Sequence, residues 1–323
     1  MQIDTKFALN LSRLGSRGVL GLALEDLIGN YDNARVIVAD TMLSSKLEGV
    51  ADKFPKRIIN TGISEQNMAS VAAGMASEGF NVFISSFAPF STMRCFEMLR
   101  TQIGYMNLNV KIVGLLSGFA QGPGGNTHYA LEDVALLRTV PNMTVESPSD
   151  GVATYKAVET ALEYNGPMYL RLTGVNGFPS VYKEDFDYVL GRGIVLREGS
   201  DIAFIASGSM VNEVLRAAKL LSKQNLSSSV IDMHTIKPLD KDLMHRVFSA
   251  HKLVVTVEEH FVAGGLGSAV AEFATTLNRT CPQLMIGVGD EFLRAGSYAF
   301  MLKSAGLTAQ DITAKALERY SSL

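Results

Sequence analysis

No apolar run in the 323-residue chain reaches the ~18 residues that a membrane-crossing helix needs. An excess of positive charge is also lacking. The net charge is −3, which argues against a nucleic-acid surface or a polybasic membrane face. Cysteine is scarce: Cys95 and Cys281 show no CxxC or metal-ligand spacing, which suits ordinary buried thiols in a reducing compartment. No GxSxG elbow occurs, so a hydrolase built on that nucleophile turn is excluded. Internal repeats and low-complexity segments are absent. The opening MQIDTKFALNLSRLGSRG is too polar for a secretory signal, and Asp4 weighs against an organelle-targeting helix. A cytoplasmic location is expected.

What is present is a large apolar fraction. Hydrophobic residues make up 47% of the chain and charged residues 19%, enough for a sizeable buried core. The length suits two domains of ~150 residues. RVIVA (35–39), RIIN (57–60), VFISS (82–86), VKIVGLL (110–116), MTVESP (143–148) and MYLRL (168–172) read as strands. Their near-continuous apolar character predicts strands covered on both faces, hence a mainly parallel α/β sheet. Helices are expected between them, over 90–104, 131–139 and 150–164. The Gly-, Pro- and charge-rich segment 174–188 reads as a linker, giving domains at 1–178 and 190–323. The second holds further strands in DIAFIASGS, SSVIDM, LVVTVEE and QLMIGVG, and a last helix from about Thr308.

Four features could carry chemistry. In NTGISEQN (60–67) an apparent strand turns into a helix with Glu65 at the junction. Acidic residues in a first helical turn commonly complement the helix dipole, so capping competes with function there. In SSFAPFSTM, Phe87, Phe90 and Met93 lie three apart, either as core packing or as a platform for an aromatic ring. The loop SGFAQGPGGNTHYALED (117–133) carries His128, a candidate acid, base or substrate contact. Arg171 ends MYLRL at a strand's C-terminal edge, where open α/β sheets bind ligands; a salt bridge is the alternative. Two other signals fail on inspection. AGGLGSAV (263–270) does not complete a GxGxxG frame, and VEEHF, with Glu258, Glu259 and His260, suits a domain contact better than a metal site.

Together these segments resemble the C-terminal part of transketolase, over nearly the whole chain. VADTMLSSKLEGVADKFPKRIINTGISEQNMASVAAGMASEGF, SSFAPFSTMRCFEMLRTQI, GNTHYALEDVALLRTVPNMTVESPSD and GPMYLRLTG are similar to the family's pyrimidine-binding domain. VIDMHTIKPLD, VVTVEEHFVAGGLGSAVAE and VGDEFLRAGSY resemble its C-terminal domain. The resemblance implies an α/β pyrimidine-binding domain followed by a transketolase C-terminal-like domain, and thiamine diphosphate as cofactor. It implies that Glu65 contacts N1′ of the aminopyrimidine and promotes formation of the reactive carbanion. Phe90 would stack on that ring, with Phe87 and Met93 flanking. Asp40 and Ser44 match an ADLxxS-like segment near the active site. His128 matches a substrate-facing histidine, Arg171 a phosphate-holding arginine and Arg17, more loosely, a second.

The family's GDG…Asn half, which holds the diphosphate through Mg2+ or Ca2+, is not in this sequence. The resemblance therefore implies a split enzyme, with a separate diphosphate-binding subunit carrying the metal and two copies of each chain in a heterotetramer. The implied reaction transfers a ketol or acyl unit to an acceptor with carbon–carbon bond formation. Gly124 stands where the family has an aspartate on the donor's hydroxyl, Leu116 where it has a histidine, and Tyr129 where it has a glutamine. Gly124 and Leu116 keep open a 2-oxo acid-decarboxylating relative, such as a deoxyxylulose phosphate synthase or a 2-oxo acid dehydrogenase β subunit. A non-catalytic scaffold or regulatory subunit is the alternative of another class.

Overall fold

The computed structural model describes residues 3–278 and 280–323. Six strands build most of a first sheet: β1 (Ala34–Val38), β2 (Ile58–Asn60), β3 (Asn81–Phe87), β4 (Val110–Leu115), β5 (Thr144–Glu146) and β6 (Met168–Arg171). No helix or strand forms between Arg171 and Ile194. Six more strands follow: β7 (Ile194–Arg197), β8 (Ile202–Ala206), β9 (Ser228–Asp232), β10 (Thr235–Lys237), β11 (Leu253–Phe261) and β12 (Gln283–Val288). The sheet orders are β10-β5-β6-β4-β3-β1-β2 and β12-β11-β8-β9-β7.

The apolar runs behave as their composition demands. β4 is buried at every residue, and it pairs in parallel with β3 and β6. Both sheets are parallel except at one edge each, where β10 runs antiparallel to β5 and β7 antiparallel to β9. β10 comes from the second half of the chain yet completes the first sheet. One hydrophobic core runs through both halves, from Ile37, Met68 and Ile84 to Ile205, Val254 and Leu266. Burying that shared surface couples the two α/β units into one packed body. Among the described residues, no helix is long and apolar enough to cross a membrane.

One element differs from expectation, and one helical region carries a break inside it. The stretch 90–104 is not one helix but short turns at Ala88–Ser91 and Phe96–Met98, running into a π-helical segment at Leu99–Gly104. Thr92 interrupts it, with φ −118° and ψ −74° and its hydroxyl donating to Ala88 O at 2.6 Å. The helical region Thr5–Leu27 is broken at Gly15, whose φ of 68° and ψ of 169° are not helical. A Cβ at Gly15 would lie 3.0 Å from Asn176 Cα, so only glycine lets this break press against the connecting segment.

Candidate active site

The C-terminal ends of β1, β2, β3 and β4 face one edge of the first sheet, where ligands of open α/β folds bind. Asn60, the last residue of β2, organises two of the loops leaving that edge. Its Oδ1 accepts from Asp40 N at 3.0 Å and from Gly62 N at 2.9 Å. The chain then turns and enters the Glu65–Ser77 helix, with Glu65 at its first position. The carboxylate is only 4% exposed and stands at the positive end of the helix dipole. Its Oε2 accepts from Arg94 Nη1 at 2.9 Å.

Beside it lies an aromatic group. Phe87 and Phe90 meet edge to face at 6.1 Å between centroids, and His128 packs 5.4 Å from Phe90 and 6.1 Å from Phe87. The guanidinium carbon of Arg94 stands 4.1 Å from the Phe90 centroid. Glu65, Arg94, Phe90, Phe87 and His128 are therefore one contiguous set, drawn from three separate loops. His128 Nδ1 lies 2.9 Å from the Thr127 hydroxyl, and the ring is half-buried. Met93 is also half-buried, on the turn that carries Phe90. The arrangement groups an acid, an aromatic surface and an imidazole, the chemistry needed to seat a planar heterocycle and handle protons beside it.

Arg17 reaches the same edge because the helix break at Gly15 redirects the chain. Its Nη1 donates to Ser44 O at 3.3 Å, in the loop after β1 that also bears Asp40. Burial pulls its pKa down from the usual arginine value, and no acidic side chain offsets that effect. A half-buried guanidinium with no acidic partner among the described residues is a ready anion site. Asp40 is exposed with φ 59°, a left-handed conformation uncommon for a non-glycine residue.

Arg171 corrects the expectation of a phosphate contact. It is 3% exposed, its Nε donates to Asp133 Oδ2 at 2.8 Å, and its Nη2 donates to the carbonyls of Ala130 and Glu259 at 2.9 Å. The second domain closes over the end of β6 and consumes the cation. Burial opposes its charge, yet Asp133 holds its pKa above the usual arginine value. The same junction takes up the VEEHF segment. Glu259 accepts from Phe119 N and Tyr298 Oη at 2.6 and 2.7 Å, and Glu258 accepts from the N–H groups of Leu266 and Gly267 at 2.7 and 2.8 Å. Glu258 thus caps the Leu266–Ala274 helix, whose N-terminus is satisfied internally.

Leu116 leaves β4 with φ 52° and is 6% exposed. Tyr129 turns inward, its hydroxyl donating to Gly122 O at 2.6 Å to staple the loop. Gly124 lies against His128: a Cβ there would meet His128 Cβ at 3.3 Å and Gln121 Cγ at 2.7 Å. A cavity of about 650 Å³ between Glu132, Ala135, Phe261, Met285 and Asp290 contains none of the site residues. Sequence reasoning missed Asn60 and Arg94. Arg94 had a signal, since it follows Phe90 by four residues, the spacing that brings side chains together on a helical turn.

The chain is similar to known proteins along most of its length. The family described as transketolase, pyrimidine binding domain, matches residues 13–176, and the transketolase C-terminal domain matches residues 191–312. The chain is 37% identical over 306 residues to a putative transketolase C-terminal section of Methanocaldococcus jannaschii, covering 94% of this chain and 96% of that protein. It is 36% identical over 299 residues to the 6-deoxy-6-sulfo-D-fructose transketolase subunit SqwH of Clostridium sp., covering 91% and 92%. It also resembles the 1-deoxy-D-xylulose-5-phosphate synthase of Lysinibacillus sphaericus at 34% identity, covering 89% of this chain but 46% of that longer protein. A solved structure described as a split gene transketolase, inactive beta4 tetramer, superposes with a TM-score of 0.86 at 39% identity, covering 95% of this chain and 98% of that one.

Proposed function

The chain belongs to the transketolase family, and from that premise we propose that it is the pyrimidine-domain subunit of a two-chain, thiamine diphosphate-dependent enzyme. It transfers a ketol or acyl unit to an aldehyde or related acceptor, forming a carbon–carbon bond. The observation that carries the reading is the convergence of Glu65, Phe90 and His128 at one sheet edge.

The residues present fit half of that cofactor. A planar nitrogen cation, the Arg94 guanidinium, already sits against the Glu65 carboxylate and over the Phe90 ring, so carboxylate and ring suit an aminopyrimidine. Glu65 would hold a proton at the ring nitrogen N1′, and Phe90, Phe87 and Met93 would hold the ring and exclude water. When bound, thiamine diphosphate supplies the electron sink that makes bond cleavage and formation beside a carbonyl accessible. His128 would move a proton on a substrate oxygen. Arg17, with Ser44 and Asp40 beside it, would hold an anionic or hydroxylated part of the substrate.

The other half is not provided for. Among the described residues, no three or more His, Cys, Asp or Glu side chains are grouped to hold a metal ion. A diphosphate bound through Mg2+ or Ca2+ calls for oxygen ligands, and these would come from a separate diphosphate-binding subunit, in a two-plus-two assembly in the cytoplasm. The coverage of relatives that are themselves a C-terminal section and a subunit supports this division. A 2-oxo acid donor is the second reading, favoured by Leu116 and Gly124 and by the likeness to deoxyxylulose phosphate synthases.

The test is reconstitution with the partner chain, reading C2 hydrogen–deuterium exchange of bound thiamine diphosphate. Glu65→Gln should slow exchange by ~10²-fold or more while leaving the fold intact. Wild-type exchange in that variant would return Glu65 to helix capping. Micromolar or tighter cofactor binding by the isolated chain would overturn the split.

A further inference from the structure

Arg94 has no role in the reaction described above, yet it makes two contacts at the centre of the site. One flat cation donates to Glu65 Oε2 at 2.9 Å and covers the Phe90 ring at 4.1 Å. Its backbone is held on both sides. Arg94 N donates to Pro89 O at 3.2 Å, and Arg94 O accepts from Gln66 Nε2 at 3.2 Å. Its side chain, in contrast, is 47% exposed. The guanidinium can leave by a change of rotamer alone, with no movement of the backbone beneath it.

We infer that Arg94 is a placeholder for the aminopyrimidine: in the free chain its guanidinium occupies the carboxylate and ring face that the cofactor's heterocycle takes in the assembled enzyme. The inference rests on the reading of Glu65 and Phe90 above. Both contacts of the guanidinium are those a planar nitrogen heterocycle would make, an N–H donor to the acid and a face over the arene. A buried carboxylate with nothing opposite it is costly, so a resident cation keeps Glu65 in place until the ring arrives. The neighbouring Cys95 thiol cannot serve, because it carries no positive charge and its S–H is directed at the carbonyls of Phe90 and Ser91, at 3.4 and 3.1 Å. Arginine suits the task where lysine does not, since only a planar guanidinium donates and stacks together. A half-exposed ion pair and a single cation–π contact are each weak, so the placeholder yields to a better ligand.

The probe is 4-amino-5-hydroxymethyl-2-methylpyrimidine, which needs no diphosphate ligands, titrated into the isolated full chain by ligand-observed NMR. Arg94→Met should bind it about tenfold more tightly than wild type. Arg94→Lys should fall between them, and adding Glu65→Gln to Arg94→Met should abolish the gain. Equal affinity of wild type and Arg94→Met overturns the inference. The reconstituted complex gives the second readout, thiamine diphosphate affinity by calorimetry. Arg94→Met should bind as tightly as wild type or more so; weaker binding would mean that Arg94 grips the cofactor, and the placeholder role fails while the site reading stands. A wild-type complex that binds no thiamine diphosphate overturns the site reading itself, and this inference with it.

Discussion

Arg171 and Asp133 form an ion pair sealed between the two domains, 2.8 Å from Nε to Oδ2, with 3% and 0% of their side chains exposed. Tyr169 donates a further hydrogen bond to the same Asp133 oxygen at 2.6 Å. Removing one partner leaves a buried charge uncompensated, which costs about 3–5 kcal/mol. Asp133→Asn and Arg171→Met should therefore lower the urea midpoint by that equivalent. The folded fraction of Arg171→Met should keep its KM for phosphorylated substrate. A large KM change at unaltered stability would restore Arg171 as an anion ligand.

Arg17 should behave in the opposite way. Among the described residues, its side chain donates one hydrogen bond, to the Ser44 carbonyl, so Arg17→Ala should change stability little. Losing a charge-assisted contact to a substrate anion is worth about 1.5–3 kcal/mol, or roughly 10- to 100-fold. Steady-state kinetics of the reconstituted enzyme should show that loss in KM for an anionic substrate. An unchanged KM would remove Arg17 from the site.

Glu258 and His260 give opposing pH dependences at the domain junction. Burial pushes the Glu258 carboxyl up from 4.5 to about 7 and pushes the His260 imidazole down from 6.5 to about 4. Folded Glu258 keeps a proton that the unfolded chain has released, so its contribution is present at low pH and lost as pH rises from 4.5 to 7. Folded His260 refuses a proton that the unfolded chain accepts, so its contribution is lost as pH falls from 6.5 to 4. Relative to wild type, Glu258→Gln should make stability more sensitive to acid, and His260→Gln less. Urea midpoints across mildly acidic pH measure both slopes; parallel curves for all three proteins would show that neither group titrates there.

Donor choice should follow Leu116 and Gly124. Neither side chain can hydrogen-bond a donor hydroxyl, and each such contact is worth ~1 kcal/mol or more. Xylulose 5-phosphate should then be a poor donor beside pyruvate in a kcat/KM competition. Gly124 has no positive φ, and its would-be Cβ presses chiefly on the flexible Gln121 side chain and on His128, so an aspartate can be accommodated there. Gly124→Asp should shift the ratio toward the ketose phosphate by about tenfold. A wild-type preference for the ketose phosphate by orders of magnitude would show that these positions do not set donor choice.

Much of this molecule was legible along the chain because the relevant signals are local. VKIVGLL had to be a strand buried on both faces, and the turn in NTGISEQN had to place Glu65 at a helix start; both hold in β4 and in the Glu65–Ser77 helix. The grouping of Phe90, Phe87 and His128 was indicated only through resemblance, since no periodicity links position 90 to position 128. What the chain could not disclose depended on partners far away in sequence. β10 was invisible because three residues, Thr235–Lys237, gain strand identity only by pairing with β5, some ninety positions earlier. Arg171, at a strand end, read as an anion contact with a salt bridge as the alternative, and only the fold closed Asp133, Ala130 and Glu259 around it. Arg17 was only a loose match to a phosphate-holding arginine until the fold set its guanidinium against the Ser44 carbonyl. Backbone propensity and hydrophobic pattern act over a few residues and are written in sequence order. Whether a charged side chain is spent within the fold or left for a ligand depends on which groups tertiary packing brings to within 3 Å of it, a typical hydrogen-bond distance, and only the folded chain decides that.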